Sequence, residues 1–243
     1  MTKNIALIPA RSGSKGIKNK NLKQICGRSL LEWSIKAALK SKQVHKVIVS
    51  TDSKEYAKYA IEAGAEVPFL RPKEISLDNS TDYEFIEHAL DWLNKNDEMP
   101  DFIVHLRPTT PLRDPLVIDS AINTFGESQN RTSLRSVHEM SESSYKNFEI
   151  NKSGKLVPLG LSNMSIDSLN NARQLFPKTY IANGYVDVLS VKHIISSHSI
   201  HGNSVLPFLT PSTCEVDSLD DFEYIDFQVS KNPQFFSNLF IEK

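Results

Sequence analysis

The sequence has few of the features that mark several large classes of protein. Its 243 residues contain two cysteines, Cys26 and Cys214, which excludes a disulfide framework and suits a reducing compartment. No apolar run is long enough for a signal peptide or a membrane span. The formal net charge is −1, so no overall field attracts nucleic acid. We therefore expect a cytoplasmic, soluble protein that binds neither a membrane nor nucleic acid.

Several catalytic and phosphate-binding motifs are also absent. The sequence contains neither the Walker A motif G-x-x-x-x-G-K-[ST] nor the dinucleotide motif G-x-G-x-x-G. The seven histidines show no metal-ligand spacing. Neither cysteine has a histidine or aspartate partner that the sequence can place, so structural thiols are favoured over a nucleophile. Any anion site in this chain must be built in another way.

Strand and helix patterns alternate through the first half of the chain. Short apolar runs predict strands at residues 4–10, 45–52, 66–70 and 101–106, and apolar stripes at helical spacing predict helices at 29–40, 54–63, after residue 81 and near 116–125. This order predicts an α/β fold with a doubly wound, mostly parallel sheet. Ligands of such sheets bind beyond the carboxyl ends of the strands.

Three helix starts are marked by capping residues. Ser29 with Glu32 and Thr81 with Glu84 have the spacing of capping boxes. Asp52 is the predicted cap of the second helix, with Glu55 three residues later. These signals set where each loop ends and each helix begins.

The pattern changes in the second half of the chain. A strand is predicted at residues 133–140, and the polar turn at 152–154 predicts a hairpin. Residues 184–191 and 214–218 are predicted to return to the sheet before a final helix. We therefore predict one domain over residues 1–243, with a small inserted lobe at about 140–178 that mediates dimerisation or covers a substrate.

The loop after the first strand is rich in glycine, serine and cations. Seven cations precede the first acidic residue, Glu32, and four of them lie in or beside this loop: Arg11, Lys15, Lys18 and Lys20. Gly13 and Gly16 let backbone N–H groups approach an anion. The positive charge is comparable to the negative charge of a nucleoside triphosphate. The loop is thus a candidate triphosphate site, with an ordinary solvated loop as the alternative.

Two carboxylates near the carboxyl terminus have the spacing of a metal site. Glu215 and Asp217 would share one face of a strand. Carboxylate oxygens suit Mg²⁺, which usually keeps waters and substrate phosphate oxygens as its other ligands. The alternative is that Asp217 only caps the helix that begins near Ser218.

Two further segments carry polar groups at predicted strand ends. In "LRPTTPLR" the guanidinium groups of Arg107 and Arg113 could each bind a carboxylate or phosphate, although a rigid turn between two prolines is the alternative. In "ARQLFPKTYIANGYVDV" cations and amides adjoin a strand and could bind a polyhydroxylated acid. The sequence leaves that question open.

The motifs, taken in order, resemble one enzyme family. "IPARSGSKGIKNKNL", "VSTDS", "LRPKEISLDNSTD", "LRPTTPLRDP", "ARQLFPKTYIANGYVDV" and "CEVDSLDDF" are together similar to the acylneuraminate cytidylyltransferases. These are the CMP-sialic acid synthetases and their relatives for legionaminic and other nonulosonic acids. The resemblance covers nearly the whole chain and implies a Rossmann-like nucleotidyltransferase sheet.

The resemblance implies a reaction and a set of site residues. CTP and a nonulosonic acid would give a CMP-sugar and pyrophosphate, with Mg²⁺ as cofactor. The implied catalytic residues are Arg11, Lys20 and Asp217. The implied nucleotide-binding residues are Arg11, Ser14, Lys15, Lys20, Asn21, Arg71, Asn79, Ser80 and Asp82. The implied sugar-acid-binding residues are Arg107, Thr109, Lys146, Arg173, Gln174 and Tyr180. The implied metal ligands are Glu215 and Asp217, and the inserted lobe resembles a segment through which the family forms homodimers.

Two departures from the sialic-acid branch bear on the substrate. That branch commonly has Gln at the position of Arg107 and Asp at that of Glu215. A guanidinium in the sugar pocket changes the polar pairing that separates similar substrates, which favours legionaminic acid or a similar di-acylamino sugar. The alternatives are a synthetase for the eight-carbon sugar Kdo, a glycosyltransferase, which would usually show a D-x-D after a central strand, and an RNA-binding module, which would need a wider cationic face with aromatics.

Overall fold

The computed structural model describes residues 2–13, 16–159 and 165–241. The strands are β1 (Asn4–Pro9), β2 (Gln24–Ile25), β3 (Arg28–Ser29), β4 (Lys46–Ser50), β5 (Phe102–His105), β6 (Ser133–Glu139), β7 (Phe148–Ile150), β8 (Leu156–Pro158), β9 (Tyr180–Ser190) and β10 (Val205–Leu209). The helices are α1 (Leu30–Lys40), α2 (Lys54–Glu62), α3 (Asp82–Lys95), α4 (Pro115–Glu127), α5 (Val191–Ser197), α6 (Leu219–Lys231) and α7 (Gln234–Phe240).

The main sheet has six strands in the order β10-β6-β9-β5-β1-β4. The pairs β1–β4, β1–β5 and β6–β10 are parallel, while β9 runs antiparallel to both of its neighbours. Alternate residues of β1 enter two separate cores: Ala6 and Ile8 pack on one face, and Ile5 and Leu7 on the other. Because both faces are covered, β1 is a continuous apolar run. The predicted doubly wound α/β fold is confirmed.

The strand predicted at residues 66–70 is wrong. Glu66 makes only an isolated bridge with Ile48, in which its N–H donates to Val47 and its carbonyl accepts from Val49. Pro68 follows two residues later and has no N–H to continue the ladder. A short apolar run with a central proline cannot extend this edge of the sheet.

The strand predicted at residues 214–218 is also wrong, and the sheet edge is β10 instead. Residues 210–217 have no ladder partner, although the Val216 N–H donates to the Thr109 carbonyl oxygen over 2.7 Å. β10 contains Pro207, which discourages a strand prediction but is tolerated at an edge. The segment that carries the two predicted metal ligands is thus an extended loop that passes the end of β5.

The helix caps agree with prediction at α1 and α3 but not at α2. Ser29 and Thr81 accept from the N–H groups of Glu32 and Glu84. At α2 the cap is Ser53, and the predicted cap Asp52 points to another loop. At α6 the cap is Ser218, which forms a capping box with Asp221. Asp217 is therefore not the cap of α6.

The segment between β6 and β9 adds no strand to the main sheet among its described residues. It carries the antiparallel hairpin β7–β8, with Gly154 in the turn at φ +76°, so the predicted hairpin is confirmed. Part of the predicted lobe, residues 160–164, lies outside the described residues. Apolar side chains on this segment face solvent, including Ile150 and Leu175, each 73% exposed.

Within the described part of the chain, every helix is too short or too polar to cross a lipid bilayer.

Candidate active site

A cavity of about 480 Å³ opens at the carboxyl ends of β1 and β5. Its lining residues are Pro9, Arg11, Gly16, Ile17, Lys20, Asn21, Arg71, Leu77, Asp78, Ser80, Thr81, Asp82, Phe85, Arg107, Pro108, Thr109 and Asp217. The doubly wound topology places a ligand site at this edge of the sheet. The cavity also contains the start of α3.

The loop after β1 is anchored by an aspartate from the end of β4. The Asp52 carboxylate accepts from the Ser12 N–H over 2.8 Å and from the Ser12 hydroxyl over 2.9 Å. The buried Asn21 amide donates to the Arg11 carbonyl oxygen over 3.2 Å. Arg11 itself pairs with Asp78 across the cavity, 2.7 Å from nitrogen to oxygen. Asp52 therefore holds the loop at the end of β4, and Asn21 joins the beginning of the loop to its end.

Lys20 links this loop to the segment between β10 and α6. Its ammonium donates to the Val216 carbonyl oxygen over 2.9 Å and lies 3.1 Å from an Asp217 carboxylate oxygen. The side chain of Asp217 is 76% exposed, so this ion pair is screened by water and contributes little to stability. A phosphate oxygen that entered here would find a cation already held at the cavity wall.

Arg71 is a buried cation at the wall of the cavity. Its guanidinium donates to the hydroxyl and carbonyl oxygens of Ser50, over 3.0 and 2.6 Å, and its carbon lies 4.8 Å from the centre of the Phe85 ring. Burial lowers the pKa of Arg71 to about 10, which still leaves it charged at neutral pH. The cavity therefore holds a rigid positive charge beside an aromatic face.

Arg107 lies between two carboxylates. One terminal nitrogen is 2.9 Å from Asp187 on β9, and the other is 2.8 Å from Asp82 at the start of α3. Burial alone would lower the pKa of Arg107, but the charges of Asp187 and Asp82 outweigh it and raise that pKa. Burial likewise opposes ionisation of Asp82, and the neighbouring guanidinium lowers its pKa despite this. Arg107 and Asp82 therefore both keep their charged forms.

The two predicted metal ligands flank a buried residue. Val216 packs in the core, and its backbone is held by Thr109 on one side and Lys20 on the other. Glu215 and Asp217 are both exposed, and Glu215 accepts from the Thr109 hydroxyl over 2.8 Å. Among the described residues no group of three or more potential ligands gathers into a complete metal site. Two carboxylates beside a cavity that contains several cations nevertheless fit Mg²⁺, which takes few protein ligands.

Most of the predicted nucleotide-side residues meet in this cavity. The predicted residues that line it are Arg11, Lys20, Asn21, Arg71, Ser80, Asp82, Arg107, Thr109 and Asp217. Asn79 is exposed and does not line the cavity. Ser14 and Lys15 lie outside the described residues. Glu215 touches the site through Thr109.

The remaining sugar-side residues lie elsewhere on the same chain. Arg173 and Gln174 line a second cavity of about 280 Å³ between the lobe and the ends of β6 and β9. Lys146 lies beside it, with its ammonium 5.7 Å from the centre of the Phe176 ring. Tyr180 is exposed at the start of β9. One chain thus does not bring these four residues to the cavity that contains Arg107.

Arg113 has a structural role rather than the ligand-binding role that its motif allowed. It is 2% exposed, and it donates to the carbonyl oxygens of Tyr185, Gly184 and Arg107 and to the hydroxyl of Ser34. Burial lowers its pKa to about 9. Since its donors bind the backbone of the β5 loop and β9, Arg113 holds the loop that carries Arg107.

Three acidic residues at the site were missed from the sequence. They are Asp52, which the sequence predicts as a helix cap, Asp78, which neighbours the predicted Asn79, and Asp187 on β9. A signal for Asp187 was present, because "YVDVL" places a carboxylate in a buried strand and a buried charge requires a partner. The other two had no comparable signal.

A family model described as cytidylyltransferase matches residues 5–155. N-acylneuraminate cytidylyltransferase of Escherichia coli is 33% identical over 96% of the chain, which spans 54% of that protein's length. CMP-N,N'-diacetyllegionaminic acid synthase of Legionella pneumophila is 32% identical over 89% of the chain and 90% of its own length. A flagellin modification protein of Campylobacter coli is 30% identical over 95% of the chain and 97% of its own length.

Solved structures share the fold at low sequence identity. A CMP:2-keto-3-deoxy-manno-octonic acid synthetase complexed with CTP superposes with a TM-score of 0.69 at 14% identity, covering 95% of this chain and 99% of that one. A 4-diphosphocytidyl-2C-methyl-D-erythritol synthase from Anaerococcus prevotii gives 0.63 at 11% identity, covering 94% and 99%. At these identities the superpositions bear on architecture alone.

Proposed function

Since this chain belongs to the cytidylyltransferase family, we propose that it transfers CMP from CTP to a nonulosonic acid and releases pyrophosphate. The observation that carries the proposal is the cavity at the carboxyl ends of the strands, in which Arg11, Lys20 and Arg71 converge with the acidic Asp217. Relatives named for neuraminic, legionaminic and pseudaminic acids support a nonulosonic acid as acceptor.

The proposed reaction is an in-line displacement at phosphorus. The anomeric hydroxyl oxygen of the sugar acid forms a bond to the α-phosphorus of CTP and releases its proton to the solvent. The bond from the α-phosphorus to the oxygen that bridges to the β-phosphate breaks, and pyrophosphate leaves with the electron pair. Arg11 and Lys20 offset the charge of the phosphates, and Arg71, with the loop of residues 77–82, borders the nucleoside. Alignment of the reacting atoms in the cavity lowers the barrier further.

Mg²⁺ is part of the proposal, with Glu215 and Asp217 as its protein ligands. The exposed carboxylates on either side of Val216 support this assignment, because hard oxygen donors next to a phosphate site suit this cation. When bound, Mg²⁺ would neutralise phosphate charge and polarise the phosphorus–oxygen bonds. Lys20 contacts Asp217, so a proposed phosphate-binding cation lies next to a proposed metal ligand.

The second substrate is proposed to be legionaminic acid or another di-acylamino nonulosonic acid. Arg107 and Thr109 would bind it from the cavity side. A synthetase for Kdo remains the alternative, but its support is a shared fold. The two unpaired thiols, Cys26 and Cys214, suit the proposed cytoplasmic location.

A homodimer is proposed to complete the acceptor site. Four predicted sugar-side residues lie at or near a cavity of their own: Arg173, Gln174, Lys146 and Tyr180. The same segment of the chain carries exposed apolar side chains such as Ile150 and Leu175, which suit an interaction surface. A second copy would cover this surface and bring the lobe residues to the neighbouring copy's main cavity.

A pyrophosphate-release panel tests the function. The purified protein is assayed with CTP or ATP, with Mg²⁺ or a chelator, and with N-acetylneuraminic, legionaminic, pseudaminic or Kdo acid. We expect release only with CTP, Mg²⁺ and a nonulosonic acid, fastest with a di-acylamino acid. Equal turnover with ATP would contradict the cytidine assignment, and a preference for Kdo would replace the proposed acceptor.

A further inference from the structure

We propose that Arg107 determines acceptor specificity by donating to an uncharged oxygen, the carbonyl of an acylamino substituent, and that Asp187 is the residue that positions it. The inference rests on the proposed function, because it assigns a part of the sugar acid to a residue of the same cavity. Asp82 and Asp187, which hold the two terminal nitrogens of Arg107, are called the carboxylate clamp below.

The two carboxylates of the clamp neutralise the positive charge of Arg107. A carboxylate ligand would need that charge to be free. The guanidinium lies within 2.9 Å of one acidic oxygen on each side. A second guanidinium, that of Arg135, lies 4.0 Å from the other oxygen of Asp187. Two cations therefore face two anions. A substrate carboxylate at Arg107 would meet two existing carboxylates at close range, and like charges repel.

The clamp still leaves donors available to an uncharged acceptor. A guanidinium has five N–H groups in one plane, and the two carboxylates occupy one on each terminal nitrogen. Arg107 lines the cavity and its side chain is 21% exposed, so a ligand in the cavity can reach the guanidinium. An amide carbonyl accepts from such donors without adding a full negative charge. Fixed, charge-compensated donors of this kind favour an acylamino group over a carboxylate.

Asp187 is suited to hold Arg107 in one orientation. Its side chain is 1% exposed, and on β9 it lies in register with His105 of β5 and Arg135 of β6. One of its oxygens accepts from Arg107, and the other has no hydrogen-bond partner among the described residues. A buried carboxylate with so few partners depends on its guanidinium, because an unpaired buried charge is strongly unfavourable.

β9 is also shaped to let the stem of Arg107 pass. Gly184 has φ +63°, and a Cβ there would lie 2.9 Å from the Thr110 hydroxyl oxygen and 3.5 Å from the Arg107 Cδ. A side chain at this position would press on the loop that carries Arg107. Arg113 also holds this loop, because it donates to the Arg107 carbonyl oxygen over 2.6 Å. The guanidinium is thus placed by backbone and clamp together.

The test compares two sugar acids that differ only in one acylamino group replaced by hydroxyl. Pyrophosphate release is measured with saturating CTP and Mg²⁺ for the wild type, Arg107→Gln and Arg107→Lys. Lysine keeps the charge that the buried Asp187 needs but loses the planar fork, so it separates misfolding from loss of recognition. Arg28→Gln, which removes a surface arginine paired with Glu32, is the matched control.

We expect both Arg107 variants to lose about ten- to hundredfold in kcat/KM for the acylamino acid. For the hydroxyl analogue we expect a change of less than about threefold, with the KM for CTP unchanged. Equal losses for both acids would mean that Arg107 binds a group they share, such as the carboxylate, and would overturn the inference. A wild type that releases no pyrophosphate with either acid would overturn the proposed function as well.

The role of Asp187 is tested with Asp187→Asn. The amide keeps the shape and one acceptor oxygen but removes the charge that orients Arg107. We expect a reduced preference for the acylamino acid, expressed in its KM, with the KM for CTP unchanged. A folded variant, judged by its thermal unfolding, that keeps the wild-type preference would remove Asp187 from this role. A structural effect alone would change both substrates alike.

Discussion

The cavity at the end of the sheet and the lobe differ in one respect. A single chain brings most of the predicted nucleotide-binding residues together in the cavity, whereas the lobe residues lie apart from it. In the cavity several cations are buried or half-buried and held in place, as with Arg71 on Ser50 and Lys20 on the Val216 carbonyl oxygen. In the lobe Arg173 and Lys178 share the carboxylate of Glu139 in solvent. The difference indicates that the proposed nucleotide half is pre-organised, while the proposed acceptor half is incomplete without a further surface.

The largest effect is expected in the cavity, at Lys20. Lys20→Ala removes a cation that is held at the cavity wall by Val216 and Asp217. We expect turnover to fall by about a hundredfold or more, because fixed charges that stabilise the departing phosphates contribute most to such reactions. The measurement is steady-state pyrophosphate release. Lys23→Ala is the control, since Lys23 is an exposed lysine that does not line the cavity. Equal rates for both variants would remove Lys20 from the site.

A somewhat smaller effect is expected at the proposed metal ligands. Asp217→Asn keeps the shape of the side chain but removes its charge. We expect the Mg²⁺ concentration for half-maximal activity to rise by at least about tenfold. Asp220→Asn, on the first turn of α6, is the matched control. An unchanged magnesium titration for Asp217→Asn would mean that its carboxylate only pairs with Lys20.

The lobe is tested through assembly. Ile150→Asp places a charge on an apolar side chain that is 73% exposed in the single chain. If a second copy covers it, the loss of apolar contact should raise the dimer dissociation constant about ten- to hundredfold. Light scattering after size exclusion measures the change. Leu116→Asp, at a position 67% exposed on α4, is the control. Identical assembly of both variants would contradict a lobe-mediated dimer.

The smallest expected effect is a dependence of the free energy of unfolding on pH. It comes from a buried histidine on β5. His105 is buried on β5 beside Asp187, and burial lowers its pKa from 6.5 to about 3. The unfolded chain therefore binds a proton between those values that the folded chain does not. The free energy of unfolding should fall by about 1.4 kcal/mol per pH unit below pH 6.5 from this group. Urea denaturation between pH 7 and about 5 measures the slope.

His105→Gln sharpens this prediction, because the variant has no imidazole at that position. Burial also lowers the pKa of His88 and of His201, so the slope should become shallower without vanishing. A slope identical to that of the wild type would mean that the pKa of His105 is the same in the folded and unfolded chains. The surface ion pairs of the lobe, being exposed, should contribute little to the difference.

The sequence predicted the sheet well where local patterns carry the information. The buried run of β1, the stripe of α3 and the caps Ser29 and Thr81 are local features, and all agree with the structure. The predictions failed where long-range pairing decides: residues 66–70 reach the free edge of β4 only at Glu66, before Pro68, and residues 214–218 have no ladder partner. β10 finds an edge on β6 despite Pro207. Such pairing depends on tertiary context that a single segment does not contain.

The candidate site was predicted in part for the same reason. Arg11 and Arg107 follow the ends of β1 and β5, Lys20 lies later in the loop after β1, and the topology brings these segments together. The partners Asp52, Asp78 and Asp187 come from distant segments and were missed. Asp187 illustrates the useful exception, because an acid between buried valines is itself a sign that a cation lies across the strand. Arg113 illustrates the reverse, since a cation in a strand-end motif can serve the backbone alone.

The central claim is that the loop after β1 and the end of β5 form the CTP site. A crystal structure of the protein with CTP and Mg²⁺ tests it most directly. The account predicts the triphosphate against Arg11 and Lys20, the metal between the phosphates and Asp217, and the nucleoside beside Arg71. Nucleotide bound in the cavity that contains Arg173, with the β1 loop empty, would contradict it.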